Sequence, residues 1–232
     1  MNAVDLNADL GEGFPNDAAL LARVTSASVS CGAHAGDRAT ILATLRQARA
    51  RGVAVGAHPG YADRAAFGRR EHSCLAAEVE TLVLDQFSAL SALAAEAGVV
   101  LGFVKPHGAL YNQAQREEEI AAGVTAAVAR LGLPVLGQPG SVLEIQARKT
   151  GTRFLPEGFP DRRYRPDGRL VSRSNPDALL QDSAEIEAQV VRLIAQGVAT
   201  LCIHGDDPNA VANADTVRAI LARRGIALRA FS

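Results

Sequence analysis

The chain has 232 residues, 48% hydrophobic and 21% charged, a length and balance that suit one large α/β domain and exclude a disordered chain. Lysine and arginine total 24 against 25 acidic residues, for a net charge of −1. That excludes a nucleic-acid binder relying on bulk positive charge and leaves no polybasic membrane patch.

A first strand is expected near residues 3–6 and a second near 26–31. From there one pattern recurs: an amphipathic stretch, a glycine, then a short β-type run. Ile41, Leu42, Leu45 and Ala48 share a helical face, and Gly52 precedes the run 53–55. Leu75, Val79, Leu82, Val83, Leu90 and Leu93 keep helical spacing, and Gly98 precedes 99–101. Ile120, Val124, Val128 and Leu131 do the same before Gly132 and the run 133–136. Gly151, Gly197 and Gly225 precede the runs 152–155, 198–203 and 226–228. A glycine after a helix closes it in the left-handed conformation, and a short connection then feeds a strand buried on both faces. About eight βα units follow, and such alternation means a parallel sheet wrapped by helices.

Two loops are long, 58–74 and 157–178, and long loops in a compact domain tend to carry function. No linker or charge run divides the chain, so a single domain over 1–232 is expected. Neither G-x-G-x-x-G after a strand nor a G-x-x-x-x-G-K-[ST] phosphate loop is present, which removes the main support for a dinucleotide-binding or P-loop fold. Polar residues instead follow nearly every strand. The expected architecture is therefore α/β, a TIM-like β/α barrel of about seven to eight parallel strands, with its site at the strand C-termini.

Those strand ends hold the candidate chemistry. Asn7, Asp9 and Glu12 follow the first strand, His34 and Asp37 the second, His58 the third, and Lys105 and His107 the fourth. Glu157, Arg162 and Tyr164 follow the sixth, and His204 and Asp206 the seventh. Of five histidines, four sit at strand ends; His72 lies in the first long loop. Asp9, His58 and His107 are candidate ligands of a divalent metal, or they hydrogen-bond substrate and water directly. Lys105, one of two lysines, reads either as a point charge for a phosphoryl or carboxylate oxygen or as half of a salt bridge to a neighbouring strand. Helix starts at Asp37 and at 139–141 offer free N–H groups to an anion, or are simply capped. Arg69-Arg70 and Arg162-Arg163 are candidate carboxylate clamps or ordinary surface pairs.

Cys31, Cys74 and Cys202 show no C-x-x-C pairing, which supports neither a zinc ribbon nor a disulfide scaffold. Cys31 and Cys202 read as small core residues, and no cysteine nucleophile is assigned. The cysteines, the lack of a signal-like apolar stretch and the lack of a ~20-residue membrane span point to a cytoplasmic protein.

Four blocks carry a resemblance: DLNADLGEG at 5–13, CGAHAGD at 31–37, GAHPGY at 56–61 and VKPHGALYN at 104–112. With FPDRRY at 159–164 and HGD at 204–206, they resemble the LamB/YcsF family in order along nearly the whole chain. Departures are Ala33 where the family usually has an aromatic, Pro160 where it usually has alanine, and a shorter segment before His204; they bear on substrate fit. The resemblance implies a barrel akin to the polysaccharide deacetylases. It also implies the A-subunit role in 5-oxoprolinase: cleavage of 5-oxo-L-proline to L-glutamate, coupled to hydrolysis of ATP to ADP and phosphate, with separate B and C subunits. Lacking a phosphate loop, the sequence leaves open whether ATP binds this chain or a partner.

Side-chain chemistry then gives expected roles. Lys105 stabilises charge on transferred oxygens, and His107 and Glu157 move protons. Asp9, His58 and His204 position water, lactam or metal, and Arg69 and Arg162 hold the substrate carboxylate. Asn7, Glu12, His34, Tyr164 and Asp206 complete the substrate-binding set. Two other readings remain: a stand-alone metal-dependent deacetylase or amidohydrolase, and a non-catalytic subunit that captures 5-oxoproline.

Overall fold

A computed structural model describes residues 2–231 apart from Ser174 and Gln181. The order is β1 (Ala3–Leu10), α1 (Asp17–Leu21), β2 (Ser26–Ser30), α2 (Arg38–Arg51), β3 (Ala54–His58), α3 (Ala76–Ala97), β4 (Leu101–Val104), α4 (Gly108–Ala114) and α5 (Glu118–Leu131). It continues β5 (Val135–Gly137), α6 (Val142–Thr150), β6 (Phe154–Gly158), α7 (Ser183–Ala195), β7 (Thr200–His204), α8 (Ala210–Arg223) and β8 (Ala227–Leu228). The expected joints are present: α2, α3, α5 and α6 end at Gly52, Gly98, Gly132 and Gly151 with φ of 65–70°.

Seven parallel strands close the barrel, because β1 pairs with both β7 and β2. β8 is not a stave, and this narrows the expected count to seven. It adds two residues to the start of β1, Ala3 opposite Ala227 and Val4 opposite Leu228. The carbonyls of Asn2 and Val4 accept from Ala227 and Arg229, while that of Leu6 accepts from Thr25 at the entrance to β2. One edge of β1 thus serves β8 first and β2 afterwards.

Side-chain alternation sorts each strand. Leu6, Ala8 and Leu10 join Val29, Ala57, Leu201 and Ile203 in the outer core beneath the helices. The other face of β1 turns Asp5, Asn7 and Asp9 into the lumen, where they meet Thr200, Glu157 and Lys105. At the strand N-terminal end the lumen is apolar: Phe103, Leu136 and Leu155 cluster against Phe231. Gly56 permits this, since a Cβ there would collide with the Phe103 ring. Above that plug the lumen is polar and buried, so every group in it needs a partner. Asp5 accepts from Thr25, Ser26 and Thr200 hydroxyls.

Candidate functional site

The centre of the lumen is Lys105, one residue past β4. Its Nζ lies 2.8 Å from Asp9 Oδ1, 2.9 Å from Glu157 Oε1, 3.3 Å from Asn7 Oδ1 and 2.9 Å from Cys202 Sγ. Burial disfavours the ammonium, but Asp9 and Glu157 outweigh it and hold its pKa well above the usual lysine value. Of the two readings of Lys105, the salt bridge is the one observed. Two carboxylates already compensate its charge. Asn7 ties them in by donating from Nδ2 to Glu157 Oε1 and Thr200 Oγ1 at 3.0 and 2.7 Å. Burial also works against the Asp9 carboxylate, yet His58 and Lys105 keep its pKa well below the usual range. Asp9 therefore remains an anion.

Toward the mouth stand three histidines and Glu12. His58 ends β3, His107 immediately precedes α4, and His34 and Glu12 sit on the loops after β2 and β1. Those two loops touch closely at Gly36, where a Cβ would strike the Gly11 carbonyl oxygen and where φ is +72°. His58 Nδ1 lies 2.7 Å from the Lys105 carbonyl and His107 Nε2 lies 2.9 Å from the Phe67 carbonyl. Their other nitrogens, His58 Nε2 and His107 Nδ1, face each other at 3.0 Å. Glu12 Oε1 lies 3.2 Å from His34 Nε2, 3.4 Å from His107 Nδ1 and 3.9 Å from His58 Nε2. The His34 and His107 rings stack at 3.7 Å and 2°. Burial and then the neighbouring His58 lower the pKa of His34 to about 3 and that of His107 well below normal. Burial, followed by Asp9, raises that of Glu12 well above the carboxylate range.

The third group crosses the mouth. His204 Nδ1 is 3.5 Å from Asp161 Oδ2, and its ring stacks on Phe159 at 5.2 Å. Burial and Arg173 depress its pKa to about 4. Asp206 pairs with Arg69 from one long loop and, through both oxygens at 2.9 Å, with Arg173 from the other.

Two side chains expected at the substrate contact their own loop. Arg162 does not stand free for a substrate carboxylate: it is buried, with Nη2 2.7 Å from the Val171 carbonyl and Nε 3.4 Å from that of Ala178. The Tyr164 hydroxyl accepts the Phe159 N–H at 2.9 Å, so it shapes the loop. Cys202 is a small core residue as expected, packed with Tyr111 and Phe159, with its Sγ beside Lys105 and burial keeping it a thiol. Both helix starts are plainly capped, Asp37 accepting from Thr40 N and Ser141 from Glu144 N.

Sequence reasoning missed Asp5, Phe67, Tyr111, Asp161 and Arg173. Counting back by twos from Asp9 along β1 would have found Asp5. The Tyr111 hydroxyl and Glu157 Oε2 are both buried, and Glu157 lies close enough to add to burial in raising the tyrosine's pKa. No spacing rule reveals that approach. Among the described residues, two groups bring ligand atoms within 4.8 Å of one another: Glu12, His34, His58 and His107, and Asp9, Cys202 and His204.

The LamB/YcsF family model matches residues 4–232. The chain is 46% identical over 251 residues to the 5-oxoprolinase A subunit of Paracidovorax citrulli, covering 99% of each. It superposes on the crystal structure of the lactam utilization protein from Thermus thermophilus with a TM-score of 0.90 at 41% identity, covering 99% of this chain and 100% of that one. A family 4 carbohydrate esterase from Streptomyces lividans shares the fold, with a TM-score of 0.52 at 15% identity and coverage of 100% and 93%.

Proposed function

The chain belongs to the LamB/YcsF family, and from that premise we propose that it is the A subunit of a cytoplasmic 5-oxoprolinase that opens 5-oxo-L-proline to L-glutamate. The observation that carries this reading is the end-to-end match to a protein named as the A subunit of 5-oxoprolinase. The likeness to the carbohydrate esterase is one of fold alone and does not favour a stand-alone deacetylase.

A five-membered lactam is an unactivated amide whose ring re-closes readily, so its opening needs a driving force. In the proposed reaction ATP supplies it within a complex of this chain with B and C subunits. The lactam oxygen is phosphorylated, water adds, and the ring opens to an acyl phosphate that a second water hydrolyses. With no phosphate loop in this chain, the reading allows a partner to hold ATP.

The lumen offers this chemistry a sharply polarised site. Asp9 is a lasting anion that can orient an attacking water. His204, with its depressed pKa, is neutral at pH 7 and presents an uncharged, weakly basic imidazole that can hydrogen-bond substrate or water. His107 keeps Nδ1 as its basic atom because Nε2 is bound to the Phe67 carbonyl. Lys105 and Glu157 act as a pair, so Lys105 holds Asp9 in place as well as lending positive charge. Arg69 is the half-exposed cation at the mouth that can receive a substrate carboxylate. A divalent metal cofactor at the histidine cluster would polarise a carbonyl oxygen and acidify bound water.

Adding this chain to folded B and C subunits tests the reading through 5-oxoproline-dependent ADP release. We expect a rate only when the chain is present. No rate with the complete set would overturn the assignment and favour a metal-dependent hydrolase.

A further inference from the structure

The geometry of the histidine cluster contains a conflict that neutral imidazoles beside an ionised carboxylate do not resolve. A backbone carbonyl accepts hydrogen bonds and never donates them. In its neutral form the His58 ring must therefore carry its proton on Nδ1, which faces the Lys105 carbonyl at 2.7 Å. By the same rule the neutral His107 ring carries its proton on Nε2, which faces the Phe67 carbonyl at 2.9 Å. The remaining nitrogens, His58 Nε2 and His107 Nδ1, then present lone pairs to each other at 3.0 Å. Two acceptors at that distance repel unless something positive lies between or beside them.

Glu12 brings a carboxylate to the same point, 3.4 Å from His107 Nδ1 and 3.9 Å from His58 Nε2. Metal–nitrogen and metal–oxygen bonds of about 2.0–2.2 Å set neighbouring ligand atoms roughly 2.9–3.5 Å apart. Two of the three spacings lie in that interval and the third is slightly wider. All three side chains are buried. We propose that His58 Nε2, His107 Nδ1 and Glu12 form a site for a divalent cation of the zinc class, with Glu12, not Asp9, as the carboxylate ligand.

Asp9 is the poorer ligand because its Oδ1 is held by Lys105 at 2.8 Å and its Oδ2 lies 3.5 Å from His58. Two imidazoles and one carboxylate suit zinc or iron and leave coordination positions for water or substrate. The surrounding groups fit the same reading. His34, with Nε2 3.2 Å from Glu12 Oε1, is placed to donate to the carboxylate and fix its direction. The Lys105 and Phe67 carbonyls fix both ligand tautomers, the usual task of groups behind a metal-bound histidine. Phe67 does so from a left-handed backbone with φ of 54°, the one positive φ outside glycine among the described residues. Such strain persists where surrounding structure enforces it. Here the Phe67 ring lies 5.2 and 5.7 Å from those of His107 and His34.

The inference deepens the proposed function but does not require it, because its readout is metal and not turnover. The full chain is stripped with chelator, checked for fold by circular dichroism, and titrated with Zn²⁺ by calorimetry and with Co²⁺ by visible absorption. One equivalent of Zn²⁺ is expected, with Co²⁺ giving ligand-field bands. Glu12→Gln and His107→Ala should each weaken binding at least 100-fold, and Asp9→Asn less than tenfold. His34→Gln should weaken it by about 10–100-fold, as expected for an orienting residue. The proposal is overturned if folded wild-type chain binds no stoichiometric cation, including the case in which ¹⁵N spectra show a proton shared between His58 and His107. It is overturned equally if Asp9→Asn abolishes binding while Glu12→Gln retains it. A chain that binds zinc yet supports no ADP release with its partners would count against the 5-oxoprolinase reading alone.

Discussion

His204 shows how a single residue links the site to stability. Its ordinary pKa of 6.5 falls to about 4 in the fold, first through burial and then through Arg173. A depressed folded pKa means that the unfolded chain takes up the proton first as pH drops. The stabilising contribution is complete above pH 6.5 and is lost as pH falls toward 4. Between pH 7 and 5 this one group should cost about 2 kcal/mol. His34 and His107 shift the same way, so a difference between variants isolates His204. Urea unfolding of wild type and His204→Gln at both pH values should show a smaller loss in the variant, by about 2 kcal/mol. Equal losses would mean that His204 is not held neutral by its surroundings.

Among the elements, the loops carrying Arg69 and Arg173 have little regular structure of their own and are joined through Asp206. Burial disfavours the Asp206 carboxylate, but Arg173, His204 and Arg69 keep its pKa below the usual value. Asp206→Asn removes the charge both guanidiniums share. Arg69 is partly exposed and screened, so global stability should change little. Local opening should become easier by about 1–2 kcal/mol, read as roughly tenfold faster amide exchange around Arg69 and Arg173 with unchanged exchange in the barrel strands. Unchanged loop exchange would show that Asp206 is not the tie.

The same contrast explains what was legible. Each glycine joint could be read locally, because a helix end needs a left-handed residue wherever it packs. His34, His58, His107 and His204 were found because strand C-termini converge in a barrel. The run at 226–228 was legible as a strand, but that it pairs only with the start of β1 and is not a stave appears only where the edge of β1 passes from β8 to β2. The loop groups Phe67, Asp161 and Arg173 left no spacing signal, because tertiary contacts alone aim them. Arg162 was read as a carboxylate clamp or an ordinary surface pair; the partners it has here are carbonyls of its own loop, which composition does not reveal.

At the scale of the whole molecule, the lumen is divided along its axis. Asp5, Asn7, Lys105 and Glu157 form a buried polar column topped by the histidines, and Phe103, Leu136 and Leu155 seal its lower end with Phe231. The column is costly to bury, and its charges keep their strength only while water is kept out. The apolar plug supplies that exclusion from below, with Phe103 buried and meeting Phe231 edge-on at 5.0 Å. Phe231 is only partly buried, so Phe231→Ala should cost less than a full core truncation, about 2–3 kcal/mol in chemical denaturation. The mouth lies at the opposite end of the strands, so on the proposed function and metal site the KM for 5-oxoproline in the assembled complex and the zinc stoichiometry should stay at wild-type values. A loss of stability with both retained would assign the two ends separate tasks. A raised KM or lost zinc would show instead that the plug and the histidine cluster are coupled through Asp5, Asn7 and Lys105.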